Sequence, residues 1–150
     1  MGIYTAADAA QPMESHDELA ATTGTGLAGD RYATKHGTYS ARGGPGREVT
    51  LVEREVIAAA RREYEIELGE DETRRNLVTE GVPLHHLVGR TFRIGTVVLR
   101  GDRSCPPCAH LEQLTREGVR KALENRGGLR ADVVEGGVLR LGDEITVVPD

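Results

Sequence analysis

A mainly β fold rolled into a barrel, with a few short helices, is what this sequence predicts, and three observations predict it. Nineteen of the 150 residues are glycine, roughly twice the ~7% of an average chain and without a collagen period, so turns are frequent and elements short. Apolar residues fall in brief runs bounded by Gly, Asp and Pro, about six or seven of which read as strands. Only one long segment carries a helical stripe, which argues against a bundle, and many short strands hide their edges best by closing on themselves.

The elements follow in order. Ile3 and Tyr4 can open a strand, and residues 13–21 read as a strand or a poor helix, because periodicity does not choose there. Val49, Leu51 and Val52 make a strand end, and Thr50-Leu51-Val52-Glu53 has capping-box spacing for a helix to follow. That helix has Val56, Ile57 and Ala60 on its apolar face, Arg54, Arg61, Arg62 and Glu63 on its wet face, and Gly69 beyond its end. Residues 76–79 form a short strand, and Pro83 opens a helical turn carrying Leu84 and Leu87 inward before Gly89. Phe92 and Ile94 pair with Val97, Val98 and Leu99 through a Gly95-Thr96 turn of type II′. Leu111, Leu114, Val119, Ala122 and Leu123 mark two helical pieces broken near Gly118. Residues 131–134 and 145–148 are the last two strands, separated by turns at Gly136-Gly137 and Gly142-Asp143.

Composition narrows the function. With 38% hydrophobic and 29% charged residues, the chain has the size of a single domain over residues 1–150. A net charge of −5 argues against non-specific nucleic-acid binding but leaves room for a local basic pocket. No apolar run approaches the ~20 residues of a membrane span, and Met1-Gly2-Ile3-Tyr4 lacks a leader's basic and apolar regions, so the expected compartment is the cytoplasm.

Four motifs bear on chemistry. Gly24-Thr25-Gly26-Leu27-Ala28-Gly29 matches a dinucleotide-binding expression, but no buried strand precedes it and no helix pattern follows, so it reads as a sharp turn presenting Asp30 and Arg31. Cys105-Pro106-Pro107-Cys108 holds the only two cysteines and lets both sulfurs face one site. At the start of a helix over 109–114, Cys108 would be favoured as a thiolate. A thioredoxin-type redox pair, structural zinc with two of His36, His85, His86 and His110, and a pair of unreactive buried thiols are the alternatives. Arg74, Arg75 and Asn76 could line a pocket for phosphate or a molybdate-type oxyanion, or else pair at the surface with Asp71 and Glu72. Arg31, Lys35, Arg42 and Arg47 make the glycine-rich segment locally basic, while His85-His86 more simply packs on its turn.

The ordered set Gly26-Leu27-Ala28-Gly29-Asp30-Arg31, Val49-Thr50-Leu51-Val52-Glu53, Arg75-Asn76-Leu77-Val78, Gly89-Arg90-Thr91-Phe92-Arg93-Ile94-Gly95, Cys105-Pro106-Pro107-Cys108-Ala109-His110-Leu111 and Leu141-Gly142-Asp143-Glu144-Ile145 resembles the MOSC domain, named for the C-terminal domain of molybdenum-cofactor sulfurase. The resemblance spans nearly the whole chain. It implies a β-rich barrel with a pocket for the anionic pterin-phosphate of molybdenum cofactor (molybdopterin) and a cysteine that ligates molybdenum or carries sulfur. Carried over, Cys108 is the metal ligand and Cys105 its partner thiol, both catalytic, while Asp30, Arg31, Arg74, Arg75 and Asn76 bind the cofactor. Set against longer relatives, the sequence read here has little before Ile3, so a shortened first strand is expected, and no segment of it resembles a pyridoxal-phosphate desulfurase, an N-terminal barrel half or a ferredoxin domain. Pyridoxal phosphate is therefore not expected here, and electrons or sulfur would come from a separate donor protein.

The expected function is that of a stand-alone molybdenum-cofactor protein acting in reduction of N-hydroxylated small molecules, at which Cys108 is a soft ligand. One alternative is a sulfur carrier or cofactor-transfer module with a persulfide on Cys108 and no turnover of its own. Another is a zinc or oxyanion-binding module.

Overall fold

The computed structural model describes residues 1–35 and 44–149. Arg42 and His36 lie outside them. The chain is mainly β, and the described residues form eleven strands: β1 (Gly2–Thr5), β2 (Glu14–His16), β3 (Glu18–Thr22), β4 (Gly26–Leu27), β5 (Val49–Glu53), β6 (Leu77–Thr79), β7 (Thr91–Ile94), β8 (Val97–Ser104), β9 (Leu129–Glu135), β10 (Gly137–Arg140) and β11 (Ile145–Val147). The helices are α1 (Arg54–Tyr64), α2 (Ala109–Leu114) and α3 (Val119–Ala122), with 3-10 turns at Asp71–Thr73 and Leu84–Leu87.

Eight strands form one sheet in the order β11-β7-β8-β9-β5-β6-β1-β2, and β10-β3-β4 form a second. Among these strands every ladder is antiparallel except β5 with β6, which α1 joins as a crossover, as a parallel pair requires. The expected closure into a barrel is not made: among the described residues the large sheet ends at β2 and β11 without a ladder between them. The reason lies at Asp17. β2 and β3 are separated by that residue alone, yet one edges the large sheet and the other pairs with β10 in the small one, so the chain turns a corner between sheets instead of continuing round. One apolar core nevertheless draws on both sheets, with Leu27 and Leu139 of the small sheet packed among Ile3, Leu51, Leu77, Phe92 and Leu99 of the large one.

Thr50 does not cap α1. It lies inside β5, and the helix starts after Glu53, which sits at the N-cap in extended conformation without a side-chain bond. The helix ends at Glu65 in a left-handed conformation, its N–H bonded to the Arg61 carbonyl at 3.0 Å. Val56 of α1 packs with Leu68, Leu111, Val119 and Leu123 in a second, smaller apolar cluster to which α2 and α3 contribute.

The Gly95-Thr96 hairpin forms as the sequence predicts, with Gly95 at φ +58 and no positive φ at Thr96, the type II′ signature. The break between the last two helices is also where expected, with Gly118 as the N-cap of α3 at φ +93. The segment 13–21, read as a strand or a poor helix, is the two strands β2 and β3; unforeseen are β4, too short to show alternation, and β10: Gly136-Gly137 leads into a further strand rather than turning directly toward β11.

Candidate functional site

A small pocket opens where the ends of β5, β6 and β9 meet the loop before α2. The register places Thr50 of β5 opposite Arg130 of β9, so their side chains share one face. Three residues before β6, the Asp71–Thr73 turn ends in Arg74 at φ 59, an uncommon conformation for a residue with a side chain.

Arg75 is buried and its bonds run to backbone oxygens. Nε donates to Gly127 O at 2.8 Å, and Nη2 to Cys105 O at 3.1 Å and Pro106 O at 3.3 Å. Gly128, at φ +121, lets the chain pass under this side chain, since a Cβ there would collide with the Leu51 carbonyl. The Cys105 N–H donates to Gly128 O at 2.8 Å, closing the same knot.

Arg31 comes from the turn after β4. Asp30 is fully buried behind it, accepting from Ala6 N, Arg31 Nη1 and Tyr32 N, each at 3.2 Å. Arg31 also donates from Nη2 to Arg74 O at 3.2 Å and lies 4.7 Å from the centroid of the Tyr32 ring, within cation–π range. Burial, and then the neighbouring Arg31 charge, push the Arg74 guanidinium below its usual pKa.

Arg31, Arg74, Arg75, Cys105 and Cys108 line this one pocket, although the sequence scatters them over 78 positions (31 to 108). Thr50, Tyr32, Arg130 and His110 complete its polar lining. Cys105 is 1% exposed, whereas Cys108, half-buried, occupies the N-cap of α2. The pocket holds about 40 Å³, and among the described residues no carboxylate lines it.

Two expected residues stand behind the wall. Asp30 fixes Arg31, and Asn76 is fully buried, accepting from Thr50 N at 3.0 Å and Thr50 Oγ1 at 3.2 Å while its Nδ2 donates to Tyr4 O at 3.1 Å. The surface pairing of Arg74 and Arg75 with Asp71 and Glu72 is not formed; Glu72 instead pairs with Arg116 at 2.7 Å. The glycine run at 24–29 forms β4 and turns, with no helix after it among the described residues, so it lacks the helix terminus a dinucleotide needs. No group of three or more His, Cys, Asp or Glu side chains gathers to hold a metal among the described residues, nor is any helix there long and apolar enough to cross a membrane.

Sequence reasoning missed Thr50 and Arg130 as pocket residues. Thr50 was hidden by its resemblance to a helix cap, and the only signal for Arg130 was a charge at the start of an apolar strand.

The MOSC domain family model matches residues 38–146. The chain belongs to the MOSC domain family. Among solved structures, this MOSC domain is similar to the YUAD protein from Bacillus subtilis, at 16% identity and a TM-score of 0.80, covering 96% of this chain and 91% of that one. It is also similar to YiiM from Escherichia coli, at 22% identity and a TM-score of 0.71, covering 99% of this chain and 68% of that one. YiiM from Geobacillus stearothermophilus gives 15% identity and a TM-score of 0.69, covering 99% and 73%. At these identities the likeness is one of fold. No curated protein matches the sequence.

Proposed function

We propose that this MOSC domain binds molybdenum cofactor at the arginine pocket. The observation that carries the reading is the donor set among the described residues: four guanidinium groups and two thiols on one concave surface without a carboxylate. Guanidinium forks suit phosphate oxygens, and a thiolate suits a soft metal. The residues present fit such a group, with Arg31, Arg74, Arg75 and Arg130 toward its anionic parts and Cys108 toward its metal. The pocket's 40 Å³ suits the anionic head of the group, and the pterin body would extend from it across the open side. A neighbouring cavity of about 390 Å³ shares Tyr32 and carries Lys35 and Arg47.

When bound, the cofactor supplies two-electron oxygen-atom chemistry, and reduction of N-hydroxylated compounds is the reaction class proposed, with electrons from a separate donor protein. The chain's own part is to orient and to neutralise. Arg75 holds the Cys105-Pro106 backbone in place, Asp30 holds Arg31, and the pocket's arginines offset negative charge. Cys108 is the better placed thiol, since Cys105 is almost fully covered.

That same difference in exposure favours a second reading, in which Cys108 thiolate accepts sulfane sulfur from a donor persulfide and releases the donor as its thiolate. Molybdenum and pterin analysis of protein made in a host that synthesises the cofactor separates the two. Molybdenum with pterin, lost in Cys108→Ser, supports the first; sulfane sulfur on metal-free protein supports the second.

A further inference from the structure

We propose that a second cavity, on the opposite face of the β5/β9 ladder from the arginine pocket, binds a small organic ammonium ion, with Glu53 as its charge partner and leucine and valine side chains around its apolar body. This inference does not rest on the cofactor reading above.

The strand period separates the two sites. Thr50 and Arg130 are partners in the ladder, and so are their neighbours Leu51 and Leu129. Successive side chains point to opposite faces of a sheet, so the first pair lines the arginine pocket and the second belongs to the apolar core. Glu53 lies two residues beyond Leu51 and falls in the same row as Val49 and Leu51, both core residues. With Leu84, Val88 and Leu129 it lines an open cavity of about 800 Å³, within the ~300–1,000 Å³ of small-molecule sites. Among the described residues this cavity shares only Cys105 and Pro106 with the arginine pocket.

Charge selects the ligand. Arg103 is paired with Asp102, and Arg126 with Glu63 at 3.1 Å. Among the described residues neither His85, which lines the cavity from an exposed position, nor any lysine or arginine pairs with Glu53. Glu53 stands at the N-cap of α1, yet its side chain makes no capping bond. A backbone hydrogen bond from Leu84 favours its charged form, but burial, and then the nearby Glu55, outweigh that bond and hold the carboxyl above its usual pKa. A half-buried carboxylate without a counter-ion gains more from a cation than a water-exposed one, because screening there is weaker. An anionic ligand would be repelled by Glu53, and a neutral one would leave it unpaired.

The apolar side of the cavity is built in advance. The Leu84–Leu87 turn lies hard against β8, where a Cβ on Gly101 would come within 2.1 Å of Leu87 O. Gly101 also accepts from Gly89 N and donates to Arg90 O, each at 2.9 Å, which pins the chain on either side of Val88. Leu84 and Leu129 are buried, while Val88 is 38% exposed, so a ligand's hydrocarbon gains by covering it.

The test is calorimetric titration of the full chain, at neutral pH and constant ionic strength, with cyclohexylammonium, cyclohexanol and cyclohexanecarboxylate, which share a ring and differ in charge. Saturable one-to-one binding of the amine is expected, about tenfold or more tighter than either of the others, with Glu53→Gln weakening it by a similar factor. Methylammonium, which lacks the apolar body, should bind at least about tenfold more weakly. Val88→Lys sets a competing cation at the cavity and should weaken the amine as well, which preserves the test if the Gln variant melts early. Glu135→Gln, at an exposed position on β9 outside the cavity, should leave affinity unchanged. Absence of saturable amine binding, equal affinity for the alcohol or the carboxylate, or equal losses in Glu135→Gln and Glu53→Gln would overturn the proposal. Protein that binds the amine through Glu53 but carries no molybdenum or pterin when made in a competent host would leave this inference standing and remove the cofactor reading; the opposite pattern would do the reverse.

Discussion

The Arg75 guanidinium donates to the Cys105 carbonyl at 3.1 Å, tying the segment before β6 to the segment that carries both thiols. The same side chain reaches Gly127 and Pro106, so one residue from the middle of the chain organises two stretches far downstream. An arginine in this position is first a structural clamp and only then a source of charge.

Arg75→Ala is therefore expected to destabilise the fold as well as the pocket. It leaves three sheltered carbonyl oxygens without donors, a loss of about 4 kcal/mol or more given that hydrogen bonds from charged groups are worth ~1.5–3 kcal/mol each. Urea unfolding followed by circular dichroism measures it, and an unchanged midpoint would show that the clamp carries no load.

Asn76→Ala removes the acceptor of the Thr50 N–H and hydroxyl and the donor to Tyr4 O. The expected cost is about 3 kcal/mol or more, from three unsatisfied groups at ~1–3 kcal/mol each. Because Asn76 does not line the pocket, residual folded protein should bind molybdenum cofactor, under the function proposed above, with nearly unchanged affinity. A large affinity loss at intact stability would place Asn76 in the ligand's contact shell after all.

Tyr4 and Glu70 give the pH profile opposite slopes at its two ends. Burial, and then the Glu70 hydrogen bond at 2.9 Å, push the Tyr4 hydroxyl up to about 12. A raised value in the folded state stabilises fully below the unfolded value near 10 and is lost as pH climbs toward 12. For Glu70, burial works upward, but bonds from Arg54 at 2.7 Å and from Tyr4 outweigh it and hold the carboxyl below its usual value. Its contribution is present above the ordinary carboxylate range and lost as pH falls through the folded value. Thermal melts across pH should show Tyr4→Phe flattening the alkaline limb and Glu70→Gln the acid limb; parallel profiles for wild type and Tyr4→Phe above pH ~10 would contradict the assignment.

Cys108 should react with an alkylating reagent much faster than Cys105 in the native protein. Cys105 is 1% exposed and Cys108 partly open, and reagent reaches a fully covered thiol only through local opening. A rate ratio of about tenfold or more is expected, abolished in urea, where both are exposed. Mass spectrometry of Cys105→Ser and Cys108→Ser reads it directly; equal native rates would mean the cover over Cys105 is loose.

The sequence by itself determined the β class, the α1 helix, the Gly95-Thr96 hairpin and the broken helical pair, because each rests on local chemistry: glycine's tolerance of positive φ, alternation along a strand, an apolar stripe along a helix. It also marked both thiols and the three arginines Arg31, Arg74 and Arg75, since their residue types announce their chemistry. Tertiary structure alone decided that the large sheet stays open at β2 and β11, that Thr50 is a strand residue bonded to Asn76, and that Arg130 joins the pocket while Asp30 and Asn76 stand behind it. Those outcomes depend on register between strands more than 20 residues apart. Register is set by which side chains fill a shared core, and a one-residue slip would turn Arg130 to the opposite face.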